Sequence, residues 1–170
     1  MSLQNHQSEL IEIFNKTVTP HGIHEPDNVM YIDYGNKDII NFIENDPAYR
    51  GTNIKDFCDY RNKNFDKYHA DILAAFDPYK PKMIACHIFK TSVTIHEDSH
   101  FCEQTKCSKA VILPIYIKKN TEYNDAPLQP ILIHSNQHAN LCEFNLTVFN
   151  PTLNHGLLSD HNLFTLISWE

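Results

Sequence analysis

Thr91-Ser92-Val93-Thr94-Ile95-His96-Glu97-Asp98-Ser99-His100 is the densest run of ligand-type side chains in the chain, and its secondary structure decides what those side chains can do. Read as a helix, His96-Glu97-x-x-His100 matches the zinc-metallopeptidase pattern. His96 and His100 would then bind Zn²⁺ from one helical face, and Glu97 would activate water. The β-branched residues Thr91, Val93, Thr94 and Ile95 make a poor helix start, and Cys102, Cys107 and a further strand-like run follow closely. Read as the end of a strand, His96-x-Asp98 places both side chains on one face, because residues two apart in a strand point the same way. That pair is part of a 2-His-1-carboxylate facial triad, the donor set of non-haem Fe(II), whose third ligand must come from a distant strand. His155, in Phe149-Asn150-Pro151-Thr152-Leu153-Asn154-His155-Gly156, is the natural candidate.

Outward from this stretch the chain has two textures. Beyond Pro81, β-branched and aromatic residues dominate short runs at 83–89, 91–96, 110–117, 131–134, 141–149 and 163–169, separated by Asn, Asp, Pro and Gly. Before it the pattern is helical. Leu10, Ile11, Phe14 and Val18 space a first helix that stops at Pro20. A strand is expected over 29–34, then a helix capped by Asn36 with Ile39, Ile40 and Ile43. Ile54, Cys58, Phe65, Tyr68, Ile72 and Phe76 form one apolar stripe that ends at Pro78 and Pro81. The expectation is a single α+β domain over 1–170, with a helical buttress over about 1–80 against antiparallel sheets rolled into a sandwich or barrel over about 81–170.

Composition narrows the function. Fourteen Lys and Arg against twenty-one Asp and Glu give a net charge of −7, the wrong sign for gripping a phosphate backbone, so no nucleic-acid partner is expected. No run approaches a membrane span. Five cysteines (Cys58, Cys86, Cys102, Cys107, Cys142) lack zinc-ribbon spacing and read as small core residues, and the first residues show no signal-peptide pattern, so a cytoplasmic setting is expected. Only Arg50 and Arg61 carry a guanidinium, leaving none for the β half.

In the β half the chain resembles the Fe(II)/2-oxoglutarate-dependent oxygenases of the double-stranded β-helix fold, especially their compact viral and prolyl-hydroxylase-like members. The resemblance spans about 83–170. Its residues are Ile95-His96-Glu97-Asp98, the apolar run Val111-Ile112-Leu113-Pro114-Ile115, the segment from Phe149 and Asn150 to His155 and Gly156, and the closing Leu166-Ile167-Ser168-Trp169. It implies a jelly-roll or cupin-like barrel, Fe(II) on His96, Asp98 and His155, 2-oxoglutarate as cosubstrate, and hydroxylation of a small molecule or protein side chain. In that family a basic residue on the last strand pairs with the far carboxylate of 2-oxoglutarate. Here the region reads His161-Asn162-Leu163-Phe164-Thr165-Leu166. Lys106, Lys109, Tyr116, His161 and Thr165 are the candidates to bind the cosubstrate in its place.

Two alternatives remain open at this point. One is a cupin-like metal-binding protein that draws on His100, Glu103, His134 or His138 as well as His155. The other is a non-catalytic barrel module that has lost 2-oxoglutarate binding. Tyr31–Tyr34 and the loop Lys118–Pro130 are candidate recognition edges.

Overall fold

A computed structural model of the chain describes residues 2–13, 27–32, 66–89, 92–119 and 129–170. Helix α1 (Ser2–Asn5) turns at His6 and continues as helix over 7–13. Helix α2 (His69–Phe76) lies between two short 3-10 turns and ends where Pro78 and a left-handed Lys80 break the ladder. The stripe residues Tyr68, Ile72 and Phe76 are all buried, as their spacing requires. The expected positions Phe14 and Val18, the helix from Asn36 to Ile43, and the stretch from Ile54 to Phe65 lie outside the described residues, as do Thr91 and 120–128 of the expected loop.

The β half contains strands β2 (Met83–Phe89), β3 (Val93–His96), β4 (Ala110–Lys118), β5 (Ile131–His134), β6 (Gln137–Asn140), β7 (Thr147–Phe149), β8 (His155–Leu158) and β9 (Asn162–Trp169), with β1 (Asp27–Ile32) added at one edge. A short helix, α3 (Ser99–Thr105), links β3 to β4. One sheet has the order β1-β2-β9-β4-β7 and the other β3-β8-β5-β6, with every pairing antiparallel. Successive strands of β2–β9 fill two four-stranded sheets in the order of a jelly roll, the double-stranded β-helix. The fold is therefore α+β with a cupin-like barrel. Among the described residues no helix is long and apolar enough to cross a membrane.

Two details depart from the expected strands. The run 141–149 is not one strand, because Phe144 takes a positive φ and its N–H donates to the Pro114 carbonyl, leaving a turn between β6 and β7. Strand β8 gave no sign of itself, since His155-Gly156-Leu157-Leu158 has no alternating pattern.

Alternation along β9 creates two cores. Phe164 and Leu166 face the helices and pack with Leu3, Leu10, Ile72, Phe76, Ile84, Val111, Leu113 and Ile115. Leu163, Ile167 and Trp169 face the second sheet and pack with Met83, Phe89, Cys102, Ala110, Ile112, Leu132 and Leu157. Each large side chain so buried stabilises the fold by roughly 1.5–3 kcal/mol. On β4 the register slips between Pro114 and Tyr116, so one extra residue, Ile115, is accommodated as a bulge. Its carbonyl accepts a hydrogen bond from Gln7 Nε2 at 2.7 Å, which ties the N-terminal helical segment to the barrel wall.

Candidate metal centre

Between the two sheets lies a cavity of about 200 Å³. Its walls are Met83, Phe89, Val93, Phe101, Ile112, Leu132, Phe149, Leu157, Ile167 and Trp169; the polar side chains at its surface are His87, His96, Asp98 and His155. Three of these converge. His155 Nε2 lies 3.3 Å from Asp98 Oδ2 and His96 Nε2 lies 3.8 Å from Asp98 Oδ1, with one ligand atom from each of the three residues inside 4.8 Å of the others. Ligands roughly 2.1 Å from one ion and at right angles stand about 3 Å apart, so a cation would draw this set together by a few tenths of an ångström at the closest pair and by up to about 2 Å at the widest.

His96 reaches the cavity because β3 is irregular. Val93 pairs with Leu157 and His96 with His155, so Thr94 and Ile95 together oppose Gly156 alone. In a regular strand Val93 and His96 would face opposite ways; the extra residue puts both on the cavity and leaves Ile95 outside, 54% exposed. Gly156 permits the close approach, since a Cβ there would lie 2.9 Å from the Val93 carbonyl oxygen and 2.9 Å from Ile95 Cδ1. Asp98 has left the strand. It occupies the N-cap of α3, yet its side chain makes no capping hydrogen bond and its carboxylate faces the two imidazoles instead. Its backbone N–H donates to the Pro151 carbonyl at 2.8 Å, fastening this corner to the segment before His155. That segment is itself a turn, in which Asn150 Oδ1 accepts from the Thr152 N–H and hydroxyl at 2.9 and 2.6 Å. The pairing of His96 with Asp98 thus comes from a bulge and a helix start, not from strand alternation.

Both histidines are held in one tautomer. His96 Nδ1 donates to the Thr94 carbonyl at 2.7 Å and His155 Nδ1 to the Leu153 carbonyl at 2.8 Å. A carbonyl only accepts, so in the neutral ring Nδ1 carries the hydrogen and Nε2 keeps its lone pair toward Asp98. Burial pushes the His155 pKa down, but the Asp98 carboxylate and the Leu153 carbonyl outweigh it, and the net shift is upward. His155 is buried, Asp98 half-buried and His96 exposed. The donor set is that of a divalent transition metal with one open side.

The zinc-metallopeptidase reading fails on backbone grounds. His96 ends a strand and His100 belongs to a helix that begins at Ser99, so the two do not share a helical face. The wider ligand set does not assemble either. His100, Glu103 and His138 are exposed, and His134, which sits opposite His155 in register, hydrogen-bonds through Nε2 to the Asn150 carbonyl at 3.1 Å.

None of the five candidates for the cosubstrate is among the residues that line the cavity. Lys106 is the exposed left-handed residue that ends α3, and Lys109 pairs with Glu170 at 3.3 Å. Regular alternation would have turned Tyr116 inward with Ile112, but the bulge at Ile115 turns it outward onto Phe164. His161 is buried in the turn before β9, 3.4 Å from Asp160, and Thr165 is buried with its hydroxyl donating to the His87 carbonyl at 3.1 Å.

His87 is the cavity residue that the sequence reading missed. Both ring nitrogens are shut off from solvent and lack a hydrogen-bond partner, and burial pulls its pKa down to about 4 against a weaker opposing pull from Asp98. The signal was a lone polar residue in Met83-Ile84-Ala85-Cys86-His87-Ile88-Phe89, in step with Met83 and Phe89. Cys102 and Cys107 are buried core thiols, with Cys102 pushed by burial up to about 11.

No protein-family model matches the chain, and no curated protein matches it. Among solved structures it is similar to DMSP lyases RdDddP and RnDddQII, at 9% identity over 52% of this chain and 37% of that chain, with a TM-score of 0.37. It is also similar to a cupin-2 domain containing protein from Shewanella frigidimarina (10% identity, 51% of this chain, 67% of that chain, TM-score 0.34) and to a cupin superfamily protein from Desulfitobacterium hafniense (12%, 53%, 68%, 0.34). The chain spans little more than a third of the length of the lyase chain it matches.

Proposed function

We propose that this protein is a mononuclear metal-dependent oxygenase that holds Fe(II) on His96, Asp98 and His155. The observation that carries the reading is the convergence of two lone-pair imidazole nitrogens on one carboxylate at the edge of an apolar cavity. Bound there, Fe(II) supplies one-electron chemistry toward O₂. Asp98 would neutralise part of the ion's charge, the Thr94 and Leu153 carbonyls fix the rings, and Phe101, Phe149 and Trp169 give the reacting side an apolar wall.

The residues do not fit 2-oxoglutarate equally well. Its far carboxylate needs a cation or several donors when desolvated, and among the described residues the cavity lining holds neither Lys nor Arg. This same observation favours a second reading, a cupin-like metal-binding module without 2-oxoglutarate turnover.

The test is an anaerobic titration of the metal-free protein with Fe(II), followed by 2-oxoglutarate. One equivalent of Fe(II) is expected to bind, and to be lost in each of His96→Ala, Asp98→Ala and His155→Ala while the far-UV circular dichroism is kept. Unchanged iron content in all three variants would overturn the site. A visible charge-transfer band on adding 2-oxoglutarate would show that the cavity accepts the dicarboxylate after all.

A further inference from the structure

The cavity states what should occupy it more clearly than the metal ligands do. At about 200 Å³ it exceeds the roughly 150 Å³ that suffices to bind benzene in an apolar protein interior, so its occupant is a compact molecule on the order of six to ten heavy atoms. Four aromatic side chains, Phe89, Phe101, Phe149 and Trp169, stand among the aliphatic walls. Away from the triad, the polar side chain at the lining is His87, whose ring centroid lies 5.4 Å from that of Phe89 and 5.6 Å from that of Trp169.

Two ring nitrogens sealed from water without partners are costly, because each has lost its hydrogen bonds to water and gained none in return. A neutral imidazole offers one N–H and one lone pair; neither nitrogen opens to the cavity as the ring stands, so a ligand must draw one edge toward it by rotation about the soft Cβ–Cγ bond. A hydroxyl can meet either nitrogen because it both donates and accepts. A carboxylate only accepts, and would enter a wall that holds neither Lys nor Arg among the described residues; an ammonium only donates. Resting on the reading of this cavity as the substrate side of the metal centre, we infer that His87 is the polar anchor for a small uncharged phenol, its ring between Phe89 and Trp169 and its hydroxyl on the imidazole.

Trp169 is the sole tryptophan of the chain, so its fluorescence reports occupancy directly. The experiment titrates the metal-free 170-residue protein with p-cresol, toluene and 2-oxoglutarate, following that emission. p-Cresol is expected to bind about tenfold more tightly than toluene, the worth of one buried hydrogen bond. 2-Oxoglutarate should leave the emission unchanged. In His87→Leu the preference for p-cresol should vanish while toluene still binds; in His87→Gln, which keeps a donor and an acceptor, part of the preference should return. Equal affinity for p-cresol and toluene, a preference that survives in His87→Leu, or no response to either compound would overturn the proposal. Because these titrations use no metal, their failure leaves the triad standing, and failure of the triad variants to lose iron leaves the phenol result standing.

Discussion

Asp98 Oδ2 lies 3.3 Å from His155 Nε2, although one residue caps a helix and the other opens a strand fifty-seven positions later. The contact links the two sequence segments that make the site, and it explains why the His155 pKa is raised despite burial. In the metal-free protein the pair attracts a proton. With a metal present the same geometry attracts the ion instead, so the two cations compete for one place.

That competition has a defined direction. A histidine whose folded pKa lies above its unfolded 6.5 adds stability that is fully present below 6.5 and lost as pH rises through the folded value. Metal affinity runs the other way, because His155 must be neutral to bind. Fe(II) or Co(II) affinity, measured by anaerobic calorimetry, should therefore already be falling as pH drops toward 6.5. An affinity that stays flat from pH 8 to pH 5 would remove His155 from the ligand set.

His87 predicts a separate acid sensitivity. Its folded pKa of about 4 lies below the unfolded 6.5, so the unfolded chain takes up the proton first. Folding stability should fall by up to about 3 kcal/mol as pH drops from 6.5 to 4, and be unaffected by this group above 6.5. Urea unfolding of wild type and His87→Leu across that window measures it, with the variant expected to show the shallower decline. Parallel curves would mean that His87 is not buried as a neutral ring.

Gly156 is expected to control the site although it offers no ligand atom itself. A methyl group there meets the Val93 carbonyl and Ile95 at distances that force β3 and β8 apart, and those strands carry His96 and His155. Gly156→Ala should cost about 1–3 kcal/mol in thermal or urea unfolding and lower metal affinity about tenfold or more. Full metal affinity in a destabilised variant would show that the strand spacing is not what sets the triad.

The sequence was readable where side-chain chemistry and backbone pattern agreed. The apolar stripe Tyr68, Ile72 and Phe76, the strands from Met83 and Ala110, and the three ligand types at His96, Asp98 and His155 all declared themselves. What stayed hidden turned on single extra residues. The bulge opposite Gly156 exchanges the faces of Ile95 and His96, and the bulge at Ile115 exchanges that of Tyr116, because strand alternation has a period of two and one inserted residue reverses it. Residue type alone does not reveal such an insertion. For this reason Tyr116 packs on Phe164 and not on the cavity. Lys106 and Lys109 stand outside the lining for another, since they end a helix and precede a strand at the surface, where long cationic side chains remain hydrated.

Strand β9 is paired on one side by β2 and on the other by β4, and its residues from Leu163 to Trp169 are all buried. One face of this strand belongs to the helical core and the other to the cavity. Loosening of the helices is therefore expected to disturb the wall holding Ile167 and Trp169, and a ligand that tightens that wall is expected to resist it. The two cores share this wall, so occupancy of the cavity is expected to raise hydrogen-exchange protection around Phe76 as well.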